Sequence, residues 1–142
     1  MSMDKQSGNL IENLRAKGYR LTKHRVKLLE LINKQDSPIS ADELRNKLSK
    51  INPINKTTVY RELGFLKREG LINDVDFGDG KKLYESSHQK HHHHLVCQNC
   101  HNIQEISFKN DLSAQQKEIE KLKHFKILEH QLEFFGLCAK CK

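Results

Sequence analysis

The chain has no apolar run approaching the roughly 18 residues that a membrane-spanning helix needs. Its polar start, MSMDKQSGNL, lacks the apolar stretch of an export signal. Internal repeats are absent, and so is any low-complexity tract beyond four consecutive histidines, His91 to His94. No HExxH sequence is present, which removes the usual signature of a zinc hydrolase. These absences point to the cytosol and to a charge-rich chain, in keeping with a mean hydropathy of −0.75. Its 142 residues allow one or two small domains with a modest core.

What is there is uneven. Residues 1–85 hold 17 Lys/Arg against 12 Asp/Glu, whereas residues 86–142 hold 8 against 6 together with eight of the nine histidines. The first part is therefore the basic one, and a polyanion is its natural partner. A solvated lysine-rich surface gives the same sum, so charge alone decides nothing.

The four cysteines form two pairs, Cys97-Gln-Asn-Cys100 and Cys138-Ala-Lys-Cys141, with 37 residues between them. Two disulfides would suit a secreted chain. In the cytosol, two Cys-x-x-Cys pairs instead complete a tetrahedral sulfur shell that suits zinc. Such a shell is closed, leaves no position for water, and is structural rather than catalytic.

The periodicity predicts an α+β chain. A short helix over 7–17 ends at Gly18, and a second opens near Thr22 with Val26, Leu28, Leu29 and Ile32 as its stripe. Ser37-Pro38 interrupts, and Ser40-Ala-Asp-Glu43 is a capping box followed by Ala41, Leu44, Leu48 and Ile51 at helical spacing. A further helix runs from about 55 or 57 to Gly70, burying Val59, Leu63 and Leu66. LINDVDF, the turn Gly78-Asp79-Gly80 and KKLYE then read as a hairpin. Helices followed by a two-stranded wing make a winged helix-turn-helix, whose last helix enters the major groove. The expected boundaries are residues 1–83 for this unit, 84–90 for a hinge and 91–142 for a small α/β domain. In the last, 93–97 and 102–107 read as strands and 111–124 as a helix with Leu112, Ile119 and Leu122 on one side. Residues 126–135 alternate as a half-buried strand with Leu128, His130, Leu132 and Phe134 inward.

On a strand, His91 and His93 point one way and His92 and His94 the other, so the run makes two half-sites rather than one. Two imidazoles are an incomplete shell. Glu85, His88, Glu105 and His130 are the nearest residues able to extend it. A solvated histidine run is the bland alternative, and His130 alone would suit a hydrogen-bonded core position. On the helix before the wing, Lys56, Thr58, Tyr60 and Arg61 are candidates for DNA contact, since arginine reads guanine edges and tyrosine packs on a thymine methyl. Arg15, Lys17, Arg20 and Lys23 flank the first helix and suit phosphate or minor-groove contact. His24 is assigned no role. Storage of metal would not require such a helix, which argues against a buffering protein.

Lys56-Thr-Thr-Val-Tyr-Arg-Glu-Leu, HHHHLVCQNC and HQLEFFGLCAKC, in this order, resemble the ferric uptake regulator family. The resemblance implies a homodimeric, metal-dependent transcriptional repressor with a winged-helix domain and a C-terminal dimerisation domain. It implies structural zinc on Cys97, Cys100, Cys138 and Cys141, and a regulatory zinc, ferrous or manganous ion on Glu85, His92, His94 and Glu105. A second site in the dimerisation domain falls on His91, His93 and His130; its carboxylate aligns near Leu112, with Asp111 adjacent. Iron- and peroxide-sensing members usually supply a further histidine from the first domain, and here that position is Pro38. The zinc-uptake branch dispenses with it, using an acid early in the wing and a ligand before the histidine run. Asp74 and His88 lie near those places, although the cysteine usual there is absent. Zinc sensing is the first expectation, and iron or manganese sensing the second.

Overall fold

The computed structural model describes residues 2–77, 80–87, 92–109 and 112–142. The expected turn residues Gly78 and Asp79 and the ligand candidates His88, His91 and Asp111 lie outside the described residues. The chain divides into two units, Met1–Gln89 and Lys90–Lys142. Among the described residues no helix is long and apolar enough to cross a membrane.

In the first unit, α1 spans Ser2–Ala16, α2 Lys23–Asn33, β1 Ile39–Ser40, α3 Ala41–Ser49, α4 Lys56–Arg68, β2 Ile72–Asp76 and β3 Lys82–Ser86. Local chemistry sets most of these limits. Gly18 takes φ +85, which a residue with a side chain rarely adopts, and the chain leaves α1 there. Thr22, Ser40 and Asn55 are the N-caps of α2, α3 and α4; each side chain accepts a bond from the N–H three residues on. Gly70, at φ +72, turns the chain from α4 into β2.

Four expectations of this unit need correction. Helix α1 begins well before residue 7. Ile51 is not part of a buried stripe: α3 stops at Ser49, Ile51 is 58% exposed in the following turn, and Ile54 takes the inward place. The stretch around Pro38 is more than an interruption, because β1 pairs antiparallel with β3 (Ile39 opposite Tyr84, Ser40 opposite Leu83) and gives the sheet the order β1-β3-β2. Pro38 precedes the strand, so its missing N–H takes nothing from the ladder. Tyr84, Glu85 and Ser86 belong to β3, and the first residues expected of the hinge are therefore strand.

The apolar cluster of this unit runs from Leu10 and Leu14 through Leu28, Leu29, Ile32, Leu44, Leu63 and Leu66 to Ile72 and Tyr84. Burying a leucine or isoleucine contributes about 1.5–3 kcal/mol each, so the cluster holds the helices against the sheet and leaves one face of α4 outside.

The second unit holds β4 (His93–Cys97), β5 (Ile103–Ile106), α5 (Ser113–Lys123) and β6 (Glu133–Gly136). Strand β4 is central, antiparallel to β5 and parallel to β6. Helix α5 closes on His124 in the left-handed region, φ 51. The long strand expected over 126–135 shrinks to β6, and Leu128 is 84% exposed. Alternation records a two-sided segment; it does not supply a neighbouring strand for the first half to pair with.

Candidate metal centres and nucleic-acid interface

The sulfur site is built by two tight turns at the same end of the sheet, after the parallel strands β4 and β6. Cys97 closes β4 and Cys100 follows in a turn in which Cys97 N–H donates to the Asn102 carbonyl at 3.0 Å. His101, at φ 61, completes that turn. Cys138 and Cys141 occupy the turn after β6, and the Cys138 N–H donates to Cys97 Sγ at 3.4 Å. All four sulfurs lie within 4.8 Å of one another, the Cys100 and Cys138 sulfurs at 3.7 Å, and none is in a disulfide. A tetrahedron with zinc–sulfur bonds of about 2.3 Å has edges near 3.8 Å. The donors therefore fit zinc. N–H groups of Cys100 and Cys138 draw the Cys97 thiol down to about 6. The Asn102 N–H also lowers Cys100, but the neighbouring sulfurs of Cys97 and Cys138 outweigh it and push that thiol up to about 11. Sulfurs crowded this closely resist sharing negative charge, and a divalent cation at their centre removes that conflict.

The histidine run is divided by strand parity. His92 and His94 come together with ring centroids 4.9 Å apart, and His92 Nε2 lies 3.8 Å from Glu105 Oε1. Glu105 sits opposite His94 across the β4–β5 ladder. One ligand atom from each of His92, His94 and Glu105 lies within 4.8 Å of the others. His93 points the other way, against Phe108 at 5.2 Å and His130 at 5.6 Å between ring centroids. The Gln116 side-chain amide bonds His130 Nδ1. Leu112, near the expected carboxylate position, is the N-cap residue of α5 and offers no ligand atom.

In the first unit Glu85 is buried near the end of β3, opposite Asn73. Asp74 lies opposite Tyr84 instead, so it occupies the other face of the hairpin from Glu85. Its carboxylate is held by Lys67 at 2.9 Å and Lys82 at 3.4 Å. Burial pushes its pKa up, but the two lysines outweigh that and hold it below the ordinary carboxylate value. Asp74 is thus bridged to two lysines and turns away from Glu85, contrary to the expectation that both approach one ion.

The outer face of α4 carries Lys56, Tyr60 and Arg61, all exposed; Lys56 Nζ stands 5.8 Å over the Tyr60 ring. Thr58 is half-buried and its N–H is taken by the Asn55 cap at 2.8 Å. Of the basic residues around α1, Arg20 and Lys23 are exposed, Arg15 pairs with Glu12 at 3.2 Å and Lys17 with Glu69 at 3.4 Å. Sequence reasoning missed the link between Arg25 and Glu62, paired at 2.7 Å between α2 and α4. Its signal was an acid at position 62, on the same side of α4 as Val59, Leu63 and Leu66.

The sequence model described as the Ferric uptake regulator family matches residues 16–135. The curated Ferric uptake regulation protein of Synechococcus elongatus is 35% identical over 144 residues, covering 96% of this chain and 95% of its own length. Among solved structures, the Vibrio cholerae ferric uptake regulator, described with rearranged DNA-binding domains, is 35% identical with a TM-score of 0.72, covering 89% of this chain and 98% of that one. The Helicobacter pylori ferric uptake regulator superposes with a TM-score of 0.80 over 98% of this chain and 93% of its own at 22% identity, a likeness of fold.

Proposed function

This chain belongs to the ferric uptake regulator family of metal-dependent transcription regulators, which are not enzymes, and on that premise we propose that it is a cytoplasmic homodimeric repressor. In this reading it binds operator DNA when a divalent ion occupies its histidine site. The observation that carries the reading is the presence of two different metal chemistries on one strand. Strand β4 ends in Cys97, part of a complete sulfur shell, and brings His94 beside His92 and Glu105, an incomplete shell of two nitrogens and a carboxylate. A complete shell holds its metal permanently. An incomplete one takes its last ligand from elsewhere, and binding there favours whichever arrangement of the chain supplies it.

We assign that last ligand to Glu85, in the winged unit; Asp74, held by lysines, is withdrawn from the set. His88 is the further candidate from the segment before the run. Metal at this site then couples the two units and selects the arrangement that binds DNA. Helix α4 reads base edges through Arg61 and Tyr60, with Lys56 and Thr58 beside them. Arg20 and Lys23 contact the backbone or minor groove, with smaller contributions from Arg15 and Lys17, whose charges are partly matched. His91, His93 and His130 stand as a second metal site only with a carboxylate, for which Asp111 is the candidate. The second copy of the chain covers the exposed apolar residues of α5 and the stretch after it, Ile119, Leu122, Phe125 and Leu128.

Among zinc, ferrous iron and manganese, zinc binds a given nitrogen and oxygen set most tightly, and Pro38 offers no additional imidazole. Zinc is therefore the first proposed effector. Ferrous iron is the second, favoured by the name of the relative in Synechococcus elongatus. The test is to remove metal from the histidine site, keep the cysteine-bound zinc, and titrate duplex binding with each ion. Restoration of binding by zinc at the lowest free concentration supports the first choice. Restoration by ferrous iron alone, within the range a cell supplies, replaces it with the second. No restoration by any of the three contradicts the role of the site.

A further inference from the structure

An arginine occupies the seam between α2 and α4, where apolar packing would be expected. Arg25 is only 16% exposed at its side chain and Glu62 only 8%. Arg25 Nε donates to Glu62 Oε2 at 2.7 Å and Nη2 to Oε1 at 3.3 Å, a two-pronged bond from α2 to α4. Nη1 donates to the Arg20 carbonyl at 2.7 Å, and the guanidinium carbon lies 3.7 Å from the Phe65 ring centroid. Tyr19 meets that ring edge-on at 4.9 Å, and its hydroxyl donates to Glu69 at 2.5 Å.

Glu62 and Phe65 fall on the inward side of α4, and its C-cap Glu69 follows on the same side, while Tyr60 and Gly64 fall on the other and Arg61 lies on the flank between. The contacts grip the inward side of the helix at three levels. A buried ion pair is weak support for stability, because apolar residues of similar size often replace it without loss. What the pair has and leucines lack is direction. The guanidinium fork accepts one orientation of a carboxylate, whereas apolar side chains tolerate sliding and rolling. A roll of about 10° moves a group about 6 Å from the helix axis by about 1 Å, enough to spoil a two-bond contact to a base.

We propose that Arg25 and Glu62 are positioning residues for sequence reading. Their fork fixes the rotation of α4, and with it the approach of Arg61 and Tyr60 to base edges. Through the Arg20 carbonyl the same guanidinium holds the basic segment before α2 in step with that helix. The proposal rests on α4 being the DNA-reading helix.

The probe is a duplex selected from a randomised library by the metal-loaded wild-type protein, compared with a scrambled duplex of the same length. Arg25→Lys, Glu62→Gln and the apolar double variant Arg25→Met/Glu62→Leu are measured beside Arg61→Ala. Each is scored by the ratio of affinities for the two duplexes, by the salt dependence of scrambled-duplex binding, and by melting temperature. The expected result is a fall of about tenfold in the ratio for all four. Scrambled-duplex affinity and its salt dependence stay at wild-type values in the Arg25 and Glu62 variants, and the apolar double variant melts no lower than wild type. A wild-type ratio in the double variant overturns the proposal, as does a loss that is equal for both duplexes. If Arg61→Ala lowers the ratio while Arg25→Lys does not, the positioning role fails and the reading helix stands. If Arg61→Ala leaves the ratio unchanged, the reading helix itself is wrong and the proposal falls with it.

Discussion

Among the described residues of the winged unit, 17 buried apolar residues form one cluster from Leu10 to Tyr84. Among the described residues of the second unit, the buried ones are His93, His94 and Cys97, while Leu122, Phe125 and Leu128 are each more than 60% exposed. The two stretches differ in what can hold them. One removes enough apolar surface from water to be stable by itself, as small domains of its size can be. The other, shorter, buries two histidines and a cysteine, covers Leu95, Val96, Ile103 and Ile106 only in part, and leaves Leu122, Phe125 and Leu128 outside. It needs a metal within and a second copy against it. Metal dependence and dimerisation are in this sense consequences of a unit with no fully buried apolar cluster among its described residues.

The largest expected effect breaks that difference at its sulfur end. Cys97→Ser should remove the zinc, whose binding free energy in small sulfur sites is on the order of 10 kcal/mol. Hydrogen exchange on the full chain should then find β4, β5 and β6 unprotected while α2, α3 and α4 keep wild-type protection. Loss of protection in both units together would deny the contrast.

The mirror experiment is Leu44→Ala, which opens a cavity in the winged core and should destabilise that unit by about 2–5 kcal/mol. Protection of β4 should not change. Next in size, Leu128→Glu should put a charge into the face assigned to the second copy, weakening dimerisation by about 2 kcal/mol or more. Sedimentation should detect monomer with its zinc retained; an unchanged dimer would move the interface elsewhere.

Two smaller effects sharpen the winged side. Arg61→Ala should lower affinity for a selected duplex by about 1–3 kcal/mol with little change in salt dependence. Lys23→Ala should instead weaken all duplexes alike and flatten that dependence. Least of all, Asp74→Asn should cost under about 1 kcal/mol at neutral pH, screened by salt. Lys67 and Lys82 hold the carboxyl below its ordinary value of 3.8, despite burial. Its contribution is therefore fully present above about pH 4 and is lost as pH falls through the lowered value. Urea melts of variant and wild type should converge at low pH, and a gap that persists there would mean the lysines act otherwise.

Local chemistry made much of this legible. Thr22 and Ser40 announce helix starts because their hydroxyls cap an N–H three residues on, and Gly18 and Gly70 announce stops because they take positive φ. The cysteine pairs are readable because their spacing already builds a turn, and the parity of His92 and His94 follows from the pleat. What could not be read depends on distant partners. Strand β1 exists only because β3 offers an edge to Ile39 and Ser40. Arg25 and Glu62 meet across 37 positions, and Asp74 looked like a ligand until two lysines were seen to hold it. Residues 126–132 alternate like a strand, yet alternation cannot say whether a neighbour is there to pair.

The most direct measurement is on the double variant His92→Ala/His94→Ala, purified and assayed for both bound zinc and metal-dependent duplex binding. One zinc per chain should remain, because the sulfur shell shares no ligand with the histidine site, and DNA binding should no longer respond to added zinc, ferrous iron or manganese. Retention of a metal response, or loss of the cysteine-bound zinc along with it, would contradict the division of labour between the two metal sites.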